Sequence, residues 1–583
     1  MKRIVFRRAA LTLVAAGALA TTAVLAPGAA SASSIGFTVH DVGAFGGEPS
    51  ITSDAHGVLY DTTPSGPHTY RSTDAGASWT EIQSADNSSG DDCLATDEGN
   101  SLYWCNLASM TASTLPLQAD AWKSTIAATC TTSCGWVHGT GVAGTVCGTS
   151  CSPFGVDRQW TAASIIPPAT TTAGAEVVLM YHDFYGPSQI WVNISHDGGA
   201  TFGAPVEVLA NSPTPGAVVA QAYTLCNTVP AGVDIVKQGL PHAGRIYVSW
   251  IAADLPSNAT GCNISMAQSF HTLWVAYSDD NGSTWSVQQA FDAGIGHDAS
   301  TPFVAFTLDD RGNPYIGFTA PGPNDNPATC ALESTAGTVQ TDSTCDYHSW
   351  VVWCQCGGSG VTFDGGGGLI AGSASAAYEV DPSTTAGTDV FPTIAAGDPG
   401  QVDVGYLHTG EIVPTDGAGK FLPGGCAGNA SPNPSTYPPI CSWNLYAGQS
   451  LDLTSSTATA TWTTVPVTTA AMHVGDICNL GIACGPTSNR NLLDFNQETI
   501  DPTTGCAHIG YADDASVNKL RSADQTTGCL TLTSAPSGNV PESPWVGLFI
   551  PAGLAVAAGV GLLGRRRRRG ASRELGTSGP SAH

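Results

Sequence analysis

Ser72-Thr73-Asp74-Ala75-Gly76-Ala77-Ser78-Trp79 is the stretch on which the reading of this chain turns. Its chemistry is that of a hairpin tip. Asp74 can bond its own backbone two residues on, and Gly76 adopts a positive φ at no steric cost. Trp79 then opens a return strand and can pack into a core. One Asp-x-Gly turn would carry little weight. The pattern recurs, however, as Ser195-His196-Asp197-Gly198-Gly199-Ala200-Thr201-Phe202 and as Ser278-Asp279-Asp280-Asn281-Gly282-Ser283-Thr284-Trp285. The shared form is Ser-x-Asp-x-Gly-x-Ser/Thr-Trp/Phe.

A second repeat runs beneath these hairpins: an apolar strand, a polar turn containing Gly, then a strand ending in aromatics. It starts near Pro49, Cys93, Trp160, Pro302, Pro392 and Glu498, and a further unit is marked by Gly244 and Ile246 to Trp250. That makes seven units. Decayed tips follow some of them, as at Cys356 to Phe363, at Ser455 to Trp462, and at Ser522-x-Asp524. Repeated runs of about four short strands are the pattern of propeller blades. Ile35 to Val42 precedes the first unit and is placed to pair with the last one, closing a ring.

The three intact stretches resemble the Asp box, or BNR repeat, of sialidase-like β-propellers. The resemblance spans residues 45–535 and implies an all-β, seven-bladed β-propeller, with a six-bladed ring as the alternative. It also implies that the boxes are structural: Asp74, Gly76 and Trp79; Asp197, Gly199 and Phe202; Asp280, Gly282 and Trp285. Sialidases of that superfamily hold a substrate carboxylate with three arginines, a task suited to guanidinium forks. Here Arg71, Arg245, Arg311 and Arg521 lie at hairpin tips or in turns. Only Arg158 and Arg490 stand near unit starts, so the arginine triad does not carry over.

Charge is distributed unevenly. The chain has 20 Lys and Arg against 47 Asp and Glu, and its two ends hold ten of the basic residues. The strongly acidic middle repels nucleic acid, which is excluded as a partner, and tolerates cations and neutral glycans. Basic Met1 to Arg8, apolar Ala9 to Ala26 and Ala30-Ser31-Ala32 read as a signal peptide over 1–32. Residues 33–535 are then the propeller and 536–544 a polar stalk. Trp545 to Gly564 lacks charge and precedes Arg565 to Arg569, which reads as a single C-terminal transmembrane helix over 545–564 with a cytoplasmic tail over 565–583. The expectation is an exported, single-pass protein at the cell surface. All 18 Cys fall between Cys93 and Cys529, an even count that reads as disulfides. Local pairs such as Cys93 with Cys105 and Cys506 with Cys529 are plausible. The spacing of Cys130, Cys134, Cys147 and Cys151 also admits zinc, which an oxidising compartment disfavours.

Acids recur at unit starts: Glu48, Asp92, Asp157, Asp298, Asp389 and Asp494. If the strands after them line a channel, one mouth carries six carboxylates. Such a ring could bind Ca²⁺, hydrogen-bond sugar hydroxyls, or supply an acid and a base for glycoside hydrolysis. Solvated loop acids without a shared role are the alternative. Asp157-Arg158-Gln159-Trp160 combines an acid, a base, an amide and an aromatic platform; Arg490 to Asp494 with Glu498 is similar in kind. The ligand-contact residues are therefore Glu48, Asp92, Asp157, Arg158, Trp160, Asp298, Asp389, Arg490 and Asp494. Asp157, Asp494 and Glu498 are the catalytic candidates. An equal reading makes each Arg–Asp pair a structural tie between blade starts. The functional expectation is a propeller binding glycan or protein ligands through its central funnel, with a glycoside hydrolase of non-sialic-acid specificity as the alternative.

Overall fold

The computed structural model describes residues 34–532, apart from internal stretches at 44, 65–67, 87–88, 109–117, 142–155, 184–189, 254–269, 295–302, 323–346, 357–360, 364–375, 382–386, 411–440, 454–459, 476 and 478–489. The described chain begins with β1 (Gly36–Asp41) and then forms antiparallel sheets in sequence order. The first blade is β2 (Ser50–Ser53), β3 (Leu59–Thr63), β4 (His68–Ser72) and β5 (Thr80–Ile82). The second is β6 (Ser89–Thr96), β7 (Leu102–Ala108), β8 (Gln118–Ser124) and β9 (Val137–His138). The third is β10 (Val156–Ser164), β11 (Glu176–Asp183), β12 (Ile190–Ser195) and β13 (Val206–Glu207). A helix α1 (Pro215–Thr224) precedes the fourth blade, which is β14 (Thr228–Ile235), β15 (Ile246–Ala253), β16 (Phe270–Ser278) and β17 (Ser286–Asp292). The fifth is β18 (Ala305–Leu308), β19 (Pro314–Pro321), β20 (Tyr347–Trp353) and β21 (Tyr378–Glu379). The sixth is β22 (Thr388–Ala396), β23 (Val402–Thr409), β24 (Ser442–Ser450) and β25 (Trp462–Pro466), with β26 (His473–Val474) also on β24. The seventh runs β27 (Gln497–Ile500), β28 (Ala507–Asp513), β29 (Lys519–Thr527), and its outer strand is β1.

The seven units of the sequence are these seven blades. The ring closes as expected, by the N-terminal strand: Thr38 lies opposite Asp524 and His40 opposite Ser522. Asp524 accepts from His40 Nδ1 and His508 Nδ1, both at 2.7 Å, and from Ser522 Oγ. The inner strand of blade four escaped the sequence reading because Pro230 and Gly232 interrupt its pattern. The ladder shifts register between those two residues. The helix α1 was not foreseen either. It starts with Pro215 in its first turn and buries Ala217 and Ala220.

The repeated hairpins join the third and fourth strands of blades one, three and four. In the first, Ser78 N and Ser78 Oγ donate to Asp74 Oδ1 and Oδ2 at 2.9 and 2.6 Å, and Gly76 N donates to Ser72 Oγ at 2.9 Å. The same three bonds recur around Asp197 and Asp280. The Asp reaches four residues on rather than two, because Ser takes the nearer amides. The hydroxyl bond from Ser78 holds the Asp74 carboxyl below its ordinary range. Gly76, Gly199 and Gly282 have φ of 85°, 81° and 78°. A Cβ on them would lie 2.0 Å from Asp524, 3.4 Å from Tyr103 and 2.1 Å from Ile194. Each tip therefore lies against the preceding blade, and the tip of blade one lies against blade seven. In blade six the motif residues are Ser450 and Asp452, with Thr461 N donating to Asp452. The expectation of Ser455 is thus corrected: five extra residues separate the acid from its usual partner.

A second hairpin motif appears at the same end of the blades, where the blade-three tip bonds the turn between the first two strands through Gly198 N and the Ala175 carbonyl at 2.9 Å. Asp54, Asp97 and Asp309 each accept the backbone amide four residues on and the hydroxyl of the Tyr six residues on, Tyr60, Tyr103 and Tyr315. This caps the turn between first and second strands.

Disulfides join Cys93 to Cys105, Cys130 to Cys134, Cys354 to Cys356 and Cys506 to Cys529, and no described cysteine is free. The zinc reading falls with the Cys130–Cys134 bond. The expectation of a single-pass protein at the cell surface is also corrected: among the described residues no helix is long and apolar enough to cross a membrane. The segments read as signal peptide (1–32), stalk (536–544), transmembrane helix (545–564) and tail (565–583) lie outside the described residues.

Ring closure makes a stability prediction. Gly239 also has positive φ (88°), but a Cβ there would meet nothing within 4 Å. Gly239→Ala should cost about 1–2 kcal/mol from the left-handed backbone alone. Gly76→Ala adds a collision with Asp524, so thermal denaturation should show at least twice that loss.

Candidate functional site

The innermost strand of every blade, β2, β6, β10, β14, β18, β22 or β27, ends its sheet and leaves one edge without a strand partner. These edges surround a central channel of about 270 Å³, lined among others by Ile51, Leu94, Arg158, Trp160, Phe303 and Asn496. Backbone amides and carbonyls along such edges need water or ligand groups. At the mouth, the start of an inner strand departs from regular geometry in several blades. Glu48, Arg158, Phe391 and Leu493 all have positive φ, from 42° to 59°. Ladder shifts fall between Asp157 and Trp160 and between Val390 and Thr393. A bulge with a left-handed residue re-aims the side chains around it.

The result is a charged cluster drawn from several blades. Arg158, from blade three, reaches Asp494, which precedes the inner strand of blade seven, and lies 3.5 Å from Glu48 Oε1, which precedes that of blade one. Its guanidinium carbon stands 4.5 Å from the Phe303 ring centroid and 5.4 Å from that of Phe495. Arg490 donates from Nε to Asp494 Oδ1 at 3.1 Å, and also bonds Asp494 through Nη2. Asp157 Oδ1 accepts the Arg158 amide at 2.8 Å, and Gln159 Nε2 donates to the Asp91 carbonyl at 2.5 Å.

Burial divides the cluster into a floor and a rim. Asp494, Glu48 and Arg158 are 0%, 3% and 7% exposed. Asp91, Asp157 and Arg490 are half-buried and keep contact with solvent. Burial, reinforced by the Asp91 charge, pushes the Glu48 carboxyl well above its ordinary range. Burial raises Asp91 and Asp157 as well. Burial also opposes ionisation of Asp494, but Arg158 and Arg490 outweigh it and hold that carboxyl below its ordinary value. His182, opposite Asp157 in the ladder, is brought down to about 3 by burial and by Arg158, and stays neutral.

The structure thus gathers Glu48, Asp157, Arg158, Arg490 and Asp494. It separates the others. Asp92 Oδ2 accepts Thr62 Oγ1 of blade one, and Asp389 accepts Ser349 N of blade five and pairs with His408. Both are ties between neighbouring blades. Glu498 accepts Gly405 N of blade six and is raised by burial and by Asp403, away from the mouth. Trp160 is half-buried, with its ring 5.2 Å from that of Phe495 and its Nε1 directed at the Pro230 carbonyl. Asp298 lies outside the described residues. The residue missed by sequence reasoning is Asp91. Neighbouring residues on a strand point to opposite faces, so Asp92 turns toward blade one and Asp91 toward the cluster. Strand alternation was the available signal, but the bulge at the start of β6 obscures its phase. Elsewhere, Arg71 bonds the carbonyls of Ala127 and Cys130, Arg245 pairs with Asp279, and Arg521 with Asp41 and Asp513. None of these three joins the mouth.

The strands define the class: a seven-bladed β-propeller with a charged channel mouth. No protein-family model matches the chain, and no curated protein matches it. Solved structures similar to it include an ulvan lyase, a polysaccharide lyase, at 11% identity and TM-score 0.42, covering 84% of this chain and 98% of that one. They also include the intramolecular trans-sialidase from Ruminococcus gnavus (10% identity, TM-score 0.34, covering 84% and 96%). A third is the α-L-arabinofuranosidase Arb93A from Fusarium graminearum (11% identity, TM-score 0.28, covering 64% and 92%).

Two outcomes follow from the electrostatics. Arg158→Met leaves buried Asp494 without one of its two cations and should cost about 3–5 kcal/mol in chemical denaturation. Arg490→Met, at a half-buried position, should cost less. The second concerns pH. Glu48 and Glu498 are raised well above ordinary values, Asp403 to about 7 and Asp234 to about 6. A carboxyl raised in the fold holds a proton that the unfolded chain releases, so its stabilisation is complete below the unfolded pKa and is lost as pH rises through the folded one. Melting temperature should therefore rise as pH falls from 8 to 5, with about 1.4 kcal/mol per pH unit for each proton taken up. The lowered carboxyl of Asp494 acts in the opposite sense and reverses the trend only in stronger acid.

Proposed function

We propose that the protein binds glycans at this mouth. The carrying observation is the arrangement of half-buried Asp91, Asp157 and Arg490 over a rigid floor of Arg158, Asp494 and Glu48. Carboxylates accept sugar hydroxyls and a guanidinium donates to sugar oxygens, so one rim offers both halves of a polyol's hydrogen bonding. The floor residues pair with one another through Arg158 and hold the rim in place through the Arg490–Asp494 pair. Ca²⁺ fits poorly: it takes six to eight oxygen ligands, and among the described residues no group of three or more His, Cys, Asp or Glu is arranged to hold a metal. The guanidinium of Arg158 supplies the counter-charge instead. A sialic-acid site is disfavoured, because a carboxylate ligand would meet Asp91 and Asp157 at the rim.

One observation favours a second reading, glycoside hydrolysis. Asp91 and Asp157 both reach solvent and are both held above the ordinary carboxylate range, as a general acid working near neutrality requires. Asp494 suits catalysis less well, since two arginines occupy it and no surface is left for substrate.

A glycan array and a chromogenic glycoside panel, run on the full chain, separate the two. Binding without turnover supports the first reading and turnover supports the second; neither signal would sink both. Asp157→Asn should weaken glycan binding at least tenfold while leaving the melting temperature near that of the wild type. A collapse of stability with unchanged binding would return Asp157 to a purely structural role.

A further inference from the structure

Phe45 is a large aromatic with 60% of its surface exposed, three residues ahead of Glu48. Among the described residues most large apolar side chains are buried, and the largest fully buried ones are Trp and Tyr of the blades. An exposed ring on the segment that leads into Glu48 therefore needs its own account. We propose that Phe45 is the stacking platform of the mouth, taking the apolar face of a pyranose ring whose hydroxyls are read by Asp91, Asp157 and Arg490. The proposal rests on the glycan reading and names the ligand's sugar-ring face as the feature recognised.

The mounting of Phe45 supports this. The segment Phe45-Gly46-Gly47-Glu48 is wedged between blades one and seven. A Cβ on Gly46 would lie 2.3 Å from the Lys519 carbonyl oxygen and 2.7 Å from Asn518 Oδ1. A Cβ on Gly47 would lie 2.7 Å from Leu493 Cδ1, and Gly47 has φ of 121°. The Gly47 carbonyl accepts the Thr63 hydroxyl at 2.9 Å, and Glu48 follows with φ of 42°. Only glycines allow the chain to pass this close, so the ring is carried by a fixed support.

The same support joins Phe45 to the rim. Asn518 Nδ2 donates to the Asn491 carbonyl at 2.6 Å, and Asn491 adjoins Arg490 in sequence. Arg490 Nη2 in turn lies 3.8 Å from Glu48 Oε1. Val517, beside Asn518, is 54% exposed. Sugar rings present C–H groups on one face and hydroxyls at the edge, and an aromatic beside carboxylates and a guanidinium matches both. Trp160, the aromatic that the sequence suggested for this task, packs on Phe495 instead.

The test uses the full chain with neutral tetra- to hexasaccharides of glucose, galactose, mannose and xylose, titrated calorimetrically. For the saccharide that the wild type binds best, Phe45→Ala should weaken affinity at least tenfold with the melting temperature unchanged. Phe45→Trp should stay within about threefold of the wild type, because it keeps a stacking face. Unchanged affinity in Phe45→Ala overturns the platform and leaves the glycan reading standing. Equal loss in both variants also overturns it, since packing rather than stacking would then be at stake. If the wild type binds none of the saccharides, the glycan reading fails and the platform with it.

Discussion

Pairing between β1 and β29 is the constraint on which the rest depends. A blade buries its two faces only against neighbours, so six blades and an open seventh would leave two apolar faces in water. The N-terminal strand supplies the outer edge of the last blade, nearly 500 residues away in sequence. The pairing is supported by polar contacts as well as the ladder. Asp524 takes hydrogen bonds from His40 on one side and His508 on the other, and the glycine of the first hairpin tip packs directly on it. Ring closure, hairpin geometry and blade spacing thus meet at a single carboxylate.

The channel mouth follows from that closure. Arg158 can reach Asp494 and Glu48 only because blade three faces blades seven and one across a closed ring. Its position is electrostatically demanding. A buried guanidinium is tolerated when paired, and here it is held against the lowered carboxyl of Asp494, with the raised one of Glu48 nearby and two aromatic rings flanking it. Burial, against the pull of Arg158, keeps Asp91 and Asp157 above ordinary carboxylate values. Function, in this view, uses the rim, whereas the floor is a structural tie. Of the two alternatives read from the sequence for the Arg–Asp pairs, the tie is present in the floor, and the proposed ligand contacts lie on the rim above it.

The fold was legible because repeats are local. Ser72 to Trp79, Ser195 to Phe202 and Ser278 to Trp285 each form their tip from eight consecutive residues, and the blades follow from strand–turn–strand patterns of similar range. Legibility failed where an insertion or a bulge broke the period. The box of blade six was read at Ser455 rather than Ser450 and Asp452, because five extra residues precede Thr461. The inner strand of blade four was lost to Pro230 and Gly232.

The site was legible only in outline. By itself the sequence determined that acids recur where inner strands begin, and that Arg158 and Arg490 accompany them. Which acids converge was decided by tertiary structure. Asp157 and Asp494 enter one cluster, whereas Asp92 and Asp389 turn sideways to tie adjacent blades. The difference is one of strand phase: a shift of one residue exchanges the two faces, and bulges at the strand starts set that phase locally. The exposure of Phe45 was likewise decided only in three dimensions, since it depends on how two glycines let the chain pass between blades that are distant in sequence.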